Sequence, residues 1–158
     1  MNIFYLHDNP RTAAEYQCDK HVVKMVLETA QLLSTAHHIS GSPHAPALYK
    51  ATHKNHPSAV WVRENKGNYL WALDHLKALL SEYTYRYNKV HKTARLIPIL
   101  ENVPDISDDD MTEPPQCMYD DCRHPDVVHA YRTYYAERMG EIDMRWTKRS
   151  KPTWLEAA

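Results

Sequence analysis

His21, Lys24, Glu28 and Gln31 place an imidazole, an amine, a carboxylate and an amide at helical spacing along one side of a strongly apolar segment. At a helical turn of about 100° per residue, these four together with Gln17 and Thr35 fall within an arc of roughly 80°. Cys18, Val22, Met25, Val26, Thr29, Leu32, Leu33 and Ala36 fill the other side, and Asp19 and Lys20 stand at the head of the stripe. A helix with so wide an apolar face is embedded in its domain, so an acid, two amines and an imidazole on the remaining strip read as the wall of a cleft. The chemistry open to such a wall is amine chemistry. An amine attacks an electrophilic carbon to form an imine while a neighbouring carboxylate moves protons. Lys20, Lys24 and the chain's own α-amine are the available nucleophiles; the α-amine, with an ordinary pKa of about 7.7–8.0 against about 10.4 for lysine, needs less tuning to be neutral. The same spacing also describes a solvated strip on which Lys24 and Glu28 form an i,i+4 pair contributing about a few tenths of a kcal/mol.

Other chemistries lack their residues. Three glycines build neither GxGxxG nor GxxxxGK[ST], which removes phosphate-loop nucleotide hydrolysis. There is no GxSxG elbow, and Cys18 lies in the apolar sector as a packing residue. Eleven histidines raise the question of metal, yet no HExxH, no CxxC and no zinc-finger spacing occurs. The pair His53 and His56 is a weak ligand spacing, and Asp108-Asp109-Asp110 lacks the alternating ligands and glycine of a calcium loop. The expectation is a site without metal or cofactor.

The elements that must position this site are helical. With 158 residues the chain fits one domain, scarce glycine and absent membrane-length apolar runs fit a soluble all-α fold, and the start MNIFYLHD carries no secretory signal. Ile3-Phe4-Tyr5-Leu6 is a short extended anchor for the chain start. Asn9 and Pro10 open a helix whose apolar periodicity runs to about His38, and Asn55-His56-Pro57-Ser58 opens a second long one through Tyr83, with Gly67 as a candidate kink. His91 to Leu100 reads as a short helix broken by Pro98, and the last helix starts at Pro125 and runs towards Trp146. The expected architecture is a compact single-domain bundle of about three long helices spanning 1–158, with an extended amino-terminal segment and long loops. Cys18, Cys117 and Cys122 read as reduced thiols, which fits the cytoplasm.

Charge is segregated. The stretch Glu101–Cys122 holds eight acidic residues and no lysine or arginine, leaving twelve acidic against nineteen basic residues elsewhere. A body of that sign can bind polyanions, unless the 101–122 loop folds back and neutralises it. In the 145–154 tail, Trp146 and Trp154 bracket Arg145, Lys148, Arg149 and Lys151, a combination that either holds phosphates and stacks on bases or docks the tail onto the core.

Three blocks in order carry a family resemblance: Asp19-Lys20-His21-Val22 with Glu28 nine residues after the aspartate; Lys54-Asn55-His56-Pro57 leading into the Trp61–Tyr69 segment; and the ending Lys151-Pro152-Thr153-Trp154. The chain resembles the phage-type pyrimidine-dimer DNA glycosylases with abasic-site lyase activity. That resemblance implies an all-α domain whose amino terminus projects into a cleft beside the first helix. It also implies an α-amine that attacks C1′ and a glutamate that assists β-elimination. Carried over, the amine is that of Met1, or of Asn2 if Met1 is removed, the acid is Glu28, and His21 and Lys24 line the same face. The DNA-contacting candidates are Lys20, Gln31, Lys54, His56, Arg63, Lys148, Arg149, Lys151 and Trp154, with damaged or modified DNA as the partner in a bacterial or phage-infected cell. Leu27 and Gln31 stand where the family carries arginines, and Asn2 replaces a small residue that favours methionine removal. Two other readings use the same residues: a non-catalytic nucleic-acid-binding protein, and an enzyme of a modified nucleotide.

Overall fold

The computed structural model describes residues 1–138 and 142–156. Among them are seven α-helices and no strand: α1 (Pro10–Tyr16), α2 (Asp19–Ile39), α3 (Pro57–Glu64), α4 (Lys66–Tyr87), α5 (Ile97–Leu100), α6 (Val127–Arg138) and α7 (Thr153–Glu156). Three 3-10 turns, at Ala45–Ala47, Lys92–Leu96 and Asp120–Cys122, punctuate the loops. The all-α expectation holds, but the bundle of about three long helices does not. Two helices are long, α2 with 21 residues and α4 with 22. No described helix is long and apolar enough to cross a membrane.

The expected helix from Pro10 to His38 is two helices. Asn9 caps α1 as its sequence predicts, accepting from the Arg11 and Thr12 amides, with Pro10 in the first turn. The backbone then straightens at Gln17 and Cys18. These residues leave the helix because their backbone groups bond elsewhere: the Gln17 carbonyl accepts from Arg86 Nη1 at 2.8 Å, and the Cys18 amide donates to the Tyr135 hydroxyl at 3.2 Å. The second expected helix also breaks, at Asn65 rather than at Gly67. Asn65 is fully extended at φ −157°, and its side chain caps α4 by accepting from the Asn68 amide.

Gly67 answers a different need. A Cβ there would run into the Met111 backbone nitrogen, because the acidic 101–122 loop passes against the first turn of α4. Asn68, fully buried, stitches the two together by donating to the Trp61 carbonyl and accepting from the Thr112 amide at 2.9 Å. The Lys66 amide donates to the Ser107 carbonyl, and Lys66 and Lys77 pair with Asp108 and Glu101. The loop is therefore a strap held mostly by backbone bonds.

The core lies between α2, α4, α3 and α1, with α6 closing the side where the amino-terminal segment lies. Val22, Met25, Val26, Thr29, Leu32, Leu33 and Ala36 of α2 are all buried, as the apolar arc requires. Residues 1–6 form no regular structure yet are pinned: Arg132 Nε donates to the Leu6 carbonyl, and Trp71 Nε1 to that of Asp8. The expected run of α6 towards Trp146 is not seen. The helix is described to Arg138, residues 139–141 lie outside the described chain, and residues 142–152 are not helical.

Two fully buried histidines are held neutral by their partners. His75 Nδ1 faces the Pro10 carbonyl at 3.0 Å and so carries the proton, leaving Nε2 to accept from the Gln17 amide at 3.1 Å. His37 Nε2 donates to the Tyr69 hydroxyl, whose own proton goes to the Leu100 carbonyl, and His37 Nδ1 accepts from Ser42. Burial pushes both rings down to about 4.

Two outcomes follow from this packing. Gly67→Ala is expected to lower stability by about 1–3 kcal/mol, read by urea unfolding, because backbone must move to admit the methyl. A depressed histidine pKa gives stability that is complete above the unfolded value near 6.5 and is lost as pH falls through about 4. Unfolding free energy is therefore expected to drop between those limits, by up to about 1.4 kcal/mol per pH unit for each ring. A flat profile there would contradict the neutral-histidine assignment.

Candidate active site

The amino terminus reaches the polar face of α2 through a strained turn. The Asn2 carboxamide oxygen accepts from the Ile3 and Phe4 amides at 2.7 and 2.9 Å, while its nitrogen donates to the Cys117 carbonyl. Phe4 sits at φ 55°, a left-handed conformation that costs a bulky L-residue about 1–3 kcal/mol and persists only when its surroundings impose it. Here they do. The Phe4 ring stacks on His21 with centroids 4.1 Å apart and meets Tyr135 edge-on, and the Gln17 amide donates to the Ile3 carbonyl.

The turn delivers the Met1 α-amine to within 3.6 Å of Glu28 Oε1. Lys24 Nζ stands 3.7 Å from Oε2. Glu28 is largely shielded, and its Oε2 is buried with no hydrogen-bond partner. Oε2 is thus met by the Lys24 ammonium at ion-pair rather than hydrogen-bond distance. The surrounding cleft, about 280 Å³, is lined by Met1, Asn2, Phe4, His21, Lys24, Met25, Glu28, Tyr134, Arg138 and Ile142. One carboxylate thus faces an α-amine and a lysine, a balance that favours an anionic ligand. His21 shares a 2.6 Å hydrogen bond with the Tyr135 hydroxyl, and burial, followed by Lys24 and Arg138, lowers its ring to about 4. It is a neutral imidazole at pH 7. His56 caps α3 by accepting from the Ser58 amide. Burial lowers its pKa first, and the Met1 amine and Glu28 act on it in opposite directions, which puts His56 within electrostatic reach of the pair.

Of the sequence candidates, Met1, His21, Lys24 and Glu28 come together in one cleft. Asp19 does not join them. Its carboxylate turns to the other side and accepts from Arg86 Nη1, the Thr147 amide and the Thr147 hydroxyl, at 3.0, 2.9 and 2.6 Å. Gln17 lies outside α2 and Thr35 is buried, bonded to Thr52, so the part of the stripe that lines the cleft is His21, Lys24 and Glu28. Lys20 and Lys54 are exposed, and Gln31 is half-buried. Arg63 is half-buried with one guanidinium nitrogen unpartnered, beside Ile39, Val60 and Ile106. The tail is docked rather than free. Arg149 is bidentate to Glu82 at 2.9 and 3.1 Å and pairs with Glu15, Lys148 Nζ donates to the Tyr85 carbonyl, and Trp154 packs against Tyr16, Tyr135 and Arg132. Lys151 is half-buried, and none of Lys148, Arg149, Lys151 and Trp154 lines the cleft.

Sequence reasoning missed Tyr134 and Arg138, which stand more than a hundred positions from Glu28. Their i,i+4 spacing on α6, bonded through Arg138 Nη2 to the Tyr134 hydroxyl, was the available signal. A larger open depression of about 670 Å³ is walled by Asp8, Glu113 and Asp126 with no amine and is unsuited to a polyanion. Among the described residues one group has metal-ligand proximity, Asp121, Cys122 and Glu137, with ligand atoms within 4.8 Å. Its thiol is pushed up to about 12, by burial first and then by the two carboxylates, and donates to Glu137.

Residues 1–95 match the sequence model of the pyrimidine dimer DNA glycosylases. The chain belongs to that family. The match contains α1 to α4 and so includes the Met1 turn and the whole polar face of α2. No curated protein and no solved structure matches the chain. The α6 wall of the cleft, with Tyr134 and Arg138, lies beyond the matched residues.

With Asp19 outside the cleft, Asp19→Asn is expected to cost about 1–3 kcal/mol of stability through lost charge-assisted bonds. Its single-turnover rate on any substrate of the cleft should stay within severalfold of the wild type. A stable variant with collapsed activity would place Asp19 in the chemistry.

Proposed function

We propose that this protein is a DNA glycosylase with abasic-site lyase activity, in which the Met1 α-amine is the nucleophile and Glu28 the proton carrier. The observation that carries the reading is the α-amine 3.6 Å from a shielded carboxylate whose second oxygen has no hydrogen bond. Family membership supports DNA as the substrate, and the α-amine and Lys24 beside Glu28 suit its phosphates.

In this reading the neutral amine attacks C1′ of a damaged nucleotide. The nitrogen–C1′ bond forms as the glycosidic bond breaks, and the base leaves with the bonding pair and takes up the proton shed by the nitrogen. The nitrogen lone pair then opens the sugar ring, O4′ gains a proton from solvent, and an iminium joins Met1 to the sugar. Glu28 removes a C2′ proton, the C2′–C3′ double bond forms, and the 3′ phosphate departs with its bonding pair. Water hydrolyses the iminium and frees the amine. At an abasic site the amine instead condenses with the sugar aldehyde, and water is lost. The neighbouring ammonium of Lys24 stabilises phosphate. Neutral His21, clamped between Phe4 and Tyr135, orients the turn that bears the amine and transfers no proton.

Glu28→Gln tests this with little change in size. On an abasic-site duplex and on ultraviolet-irradiated DNA, strand cleavage is expected to fall by about 100-fold or more, the usual contribution of a positioned acid–base group, while duplex affinity is retained. An unchanged cleavage rate would remove Glu28 from the reaction.

A further inference from the structure

The acidic strap leaves one basic surface uncovered. Its ion pairs to the helices are with Lys66 and Lys77, in the first half of α4. Between Glu28 and Glu64, and again between Glu82 and Glu101, the chain carries no aspartate or glutamate. These two acid-free stretches meet. The Tyr49 hydroxyl and Thr93 Oγ1 share a 2.7 Å hydrogen bond, and the Arg95 guanidinium lies 5.6 Å from the centre of the Tyr49 ring. Lys50 and Lys92 adjoin that joint in sequence. Lys50, Lys54, Lys92 and Arg95 are all exposed and form no ion pair among the described residues. Cations gathered without a counter-charge repel one another, and such a patch is the electrostatic footprint of a polyanion site.

This patch continues the helix face that carries the acid. Glu28 and Thr35 are seven residues apart on α2, so they point within about 20° of each other and stand about 10 Å apart along its axis. Thr35 Oγ1 donates to the Thr52 carbonyl at 3.3 Å and accepts from the Thr52 amide at 3.2 Å, and His38 Nε2 hydrogen-bonds the Tyr49 carbonyl at 3.0 Å. Residues 49–56 are therefore laid on α2 along the Glu28 face. They end at His56, whose ring is within electrostatic reach of the Met1 amine and Glu28. Lys54 is two residues from His56, and Lys50, six residues away, lies no more than about 21 Å from it. One turn of duplex, about 34 Å, spans the cleft and the patch together and brings a phosphate of each strand about every 3.4 Å of its axis. We propose that Lys50, Lys54, Lys92 and Arg95 dock the phosphates of undamaged duplex on one flank of the reacting sugar, the flank that runs towards the carboxyl end of α2. This rests on the glycosylase reading of the cleft. It makes the footprint of the enzyme on its substrate asymmetric.

The test compares wild type with a variant carrying Lys50→Gln, Lys92→Gln and Arg95→Gln, and with a charge-matched control carrying Arg11→Gln, Lys77→Gln and Arg123→Gln, all at exposed positions. Binding to an undamaged duplex is followed by fluorescence anisotropy as salt is raised. Each phosphate contact removed lowers the slope of log affinity against log salt by about 0.9. The patch variant is expected to be shallower than wild type by about 2–3, and the control to match wild type. Equal reductions in both variants, or none in the patch variant, would overturn the surface. The flank is tested with an abasic-site duplex in which three phosphates on one side or the other are replaced by uncharged methylphosphonates. Neutralising one of the two flanks is expected to weaken wild-type binding by about tenfold or more and to leave the affinity of the patch variant unchanged. A patch variant that responds to both flanks as wild type does would place the contact elsewhere. Neither readout needs chemistry, so failure of wild type to cleave the abasic duplex would sink the imine reading without deciding the docking surface. Should the triple variant melt below wild type, Lys50→Gln with Lys92→Gln keeps Arg95 over Tyr49 and is expected to be shallower by about 2.

Discussion

Everything that positions the cleft depends on the guanidinium of Arg86. It is buried on α4, and its nitrogens donate to Glu82, the Gln17 carbonyl, Asp19 and the Glu15 carbonyl. Glu82 lies on α4 itself, and the other three acceptors belong to the end of α1, the break after it and the first residue of α2. A planar fork of donors in fixed directions holds such a set where a lysine could not. The break at Gln17 and Cys18 aims α2, and the aim of α2 decides where Glu28 stands. The same cluster secures the tail, since Glu82 also takes Arg149 and Asp19 also takes Thr147. Removing one member would leave buried charge uncompensated, which is more costly than the net worth of the cluster.

A second, local constraint turns that scaffold into a site. The left-handed Phe4 costs free energy and serves the 3.6 Å approach of amine and acid. The cost is offset by contacts one residue away on every side: the Asn2 carboxamide, the His21 stack, and the carbonyls of Ile3 and Leu6 held by Gln17 and Arg132. Tertiary bonds fix a segment that has no secondary structure of its own. In the proposed reaction this is pre-organisation, with the amine and the acid held before substrate arrives.

The sequence showed the all-α class, the cap at Asn9, the helix start within Asn55–Ser58, the apolar face of α2, and His21, Lys24 and Glu28 as a group, because each is local or periodic. It did not show the breaks at Gln17 and Asn65. Apolar periodicity continues across both, and the bonds that straighten the backbone at Gln17 come from Arg86 and Tyr135, far along the chain. Asp19 was read with the stripe because a helical projection knows the angle of a side chain but not its partners. The basic tail leaves two readings open in the sequence, polyanion clamp or docked segment, for a similar reason. Arg149 has its counter-charges in Glu82 and Glu15 and Trp154 has its aromatic neighbours in Tyr16 and Tyr135, and no spacing rule links them. At Gly67, only the passage of Met111 shows why a side chain is excluded.

The central claim is that the Met1 α-amine bonds covalently to the sugar. Borohydride added during reaction with an abasic-site oligonucleotide reduces an imine to a stable amine, and proteolysis with mass spectrometry then finds the residue that carries the sugar. The account predicts a trapped adduct on the peptide that begins at Met1, with the added mass on its α-nitrogen. An adduct on Lys24 or Lys20, or none under conditions where the strand is cleaved, would contradict it.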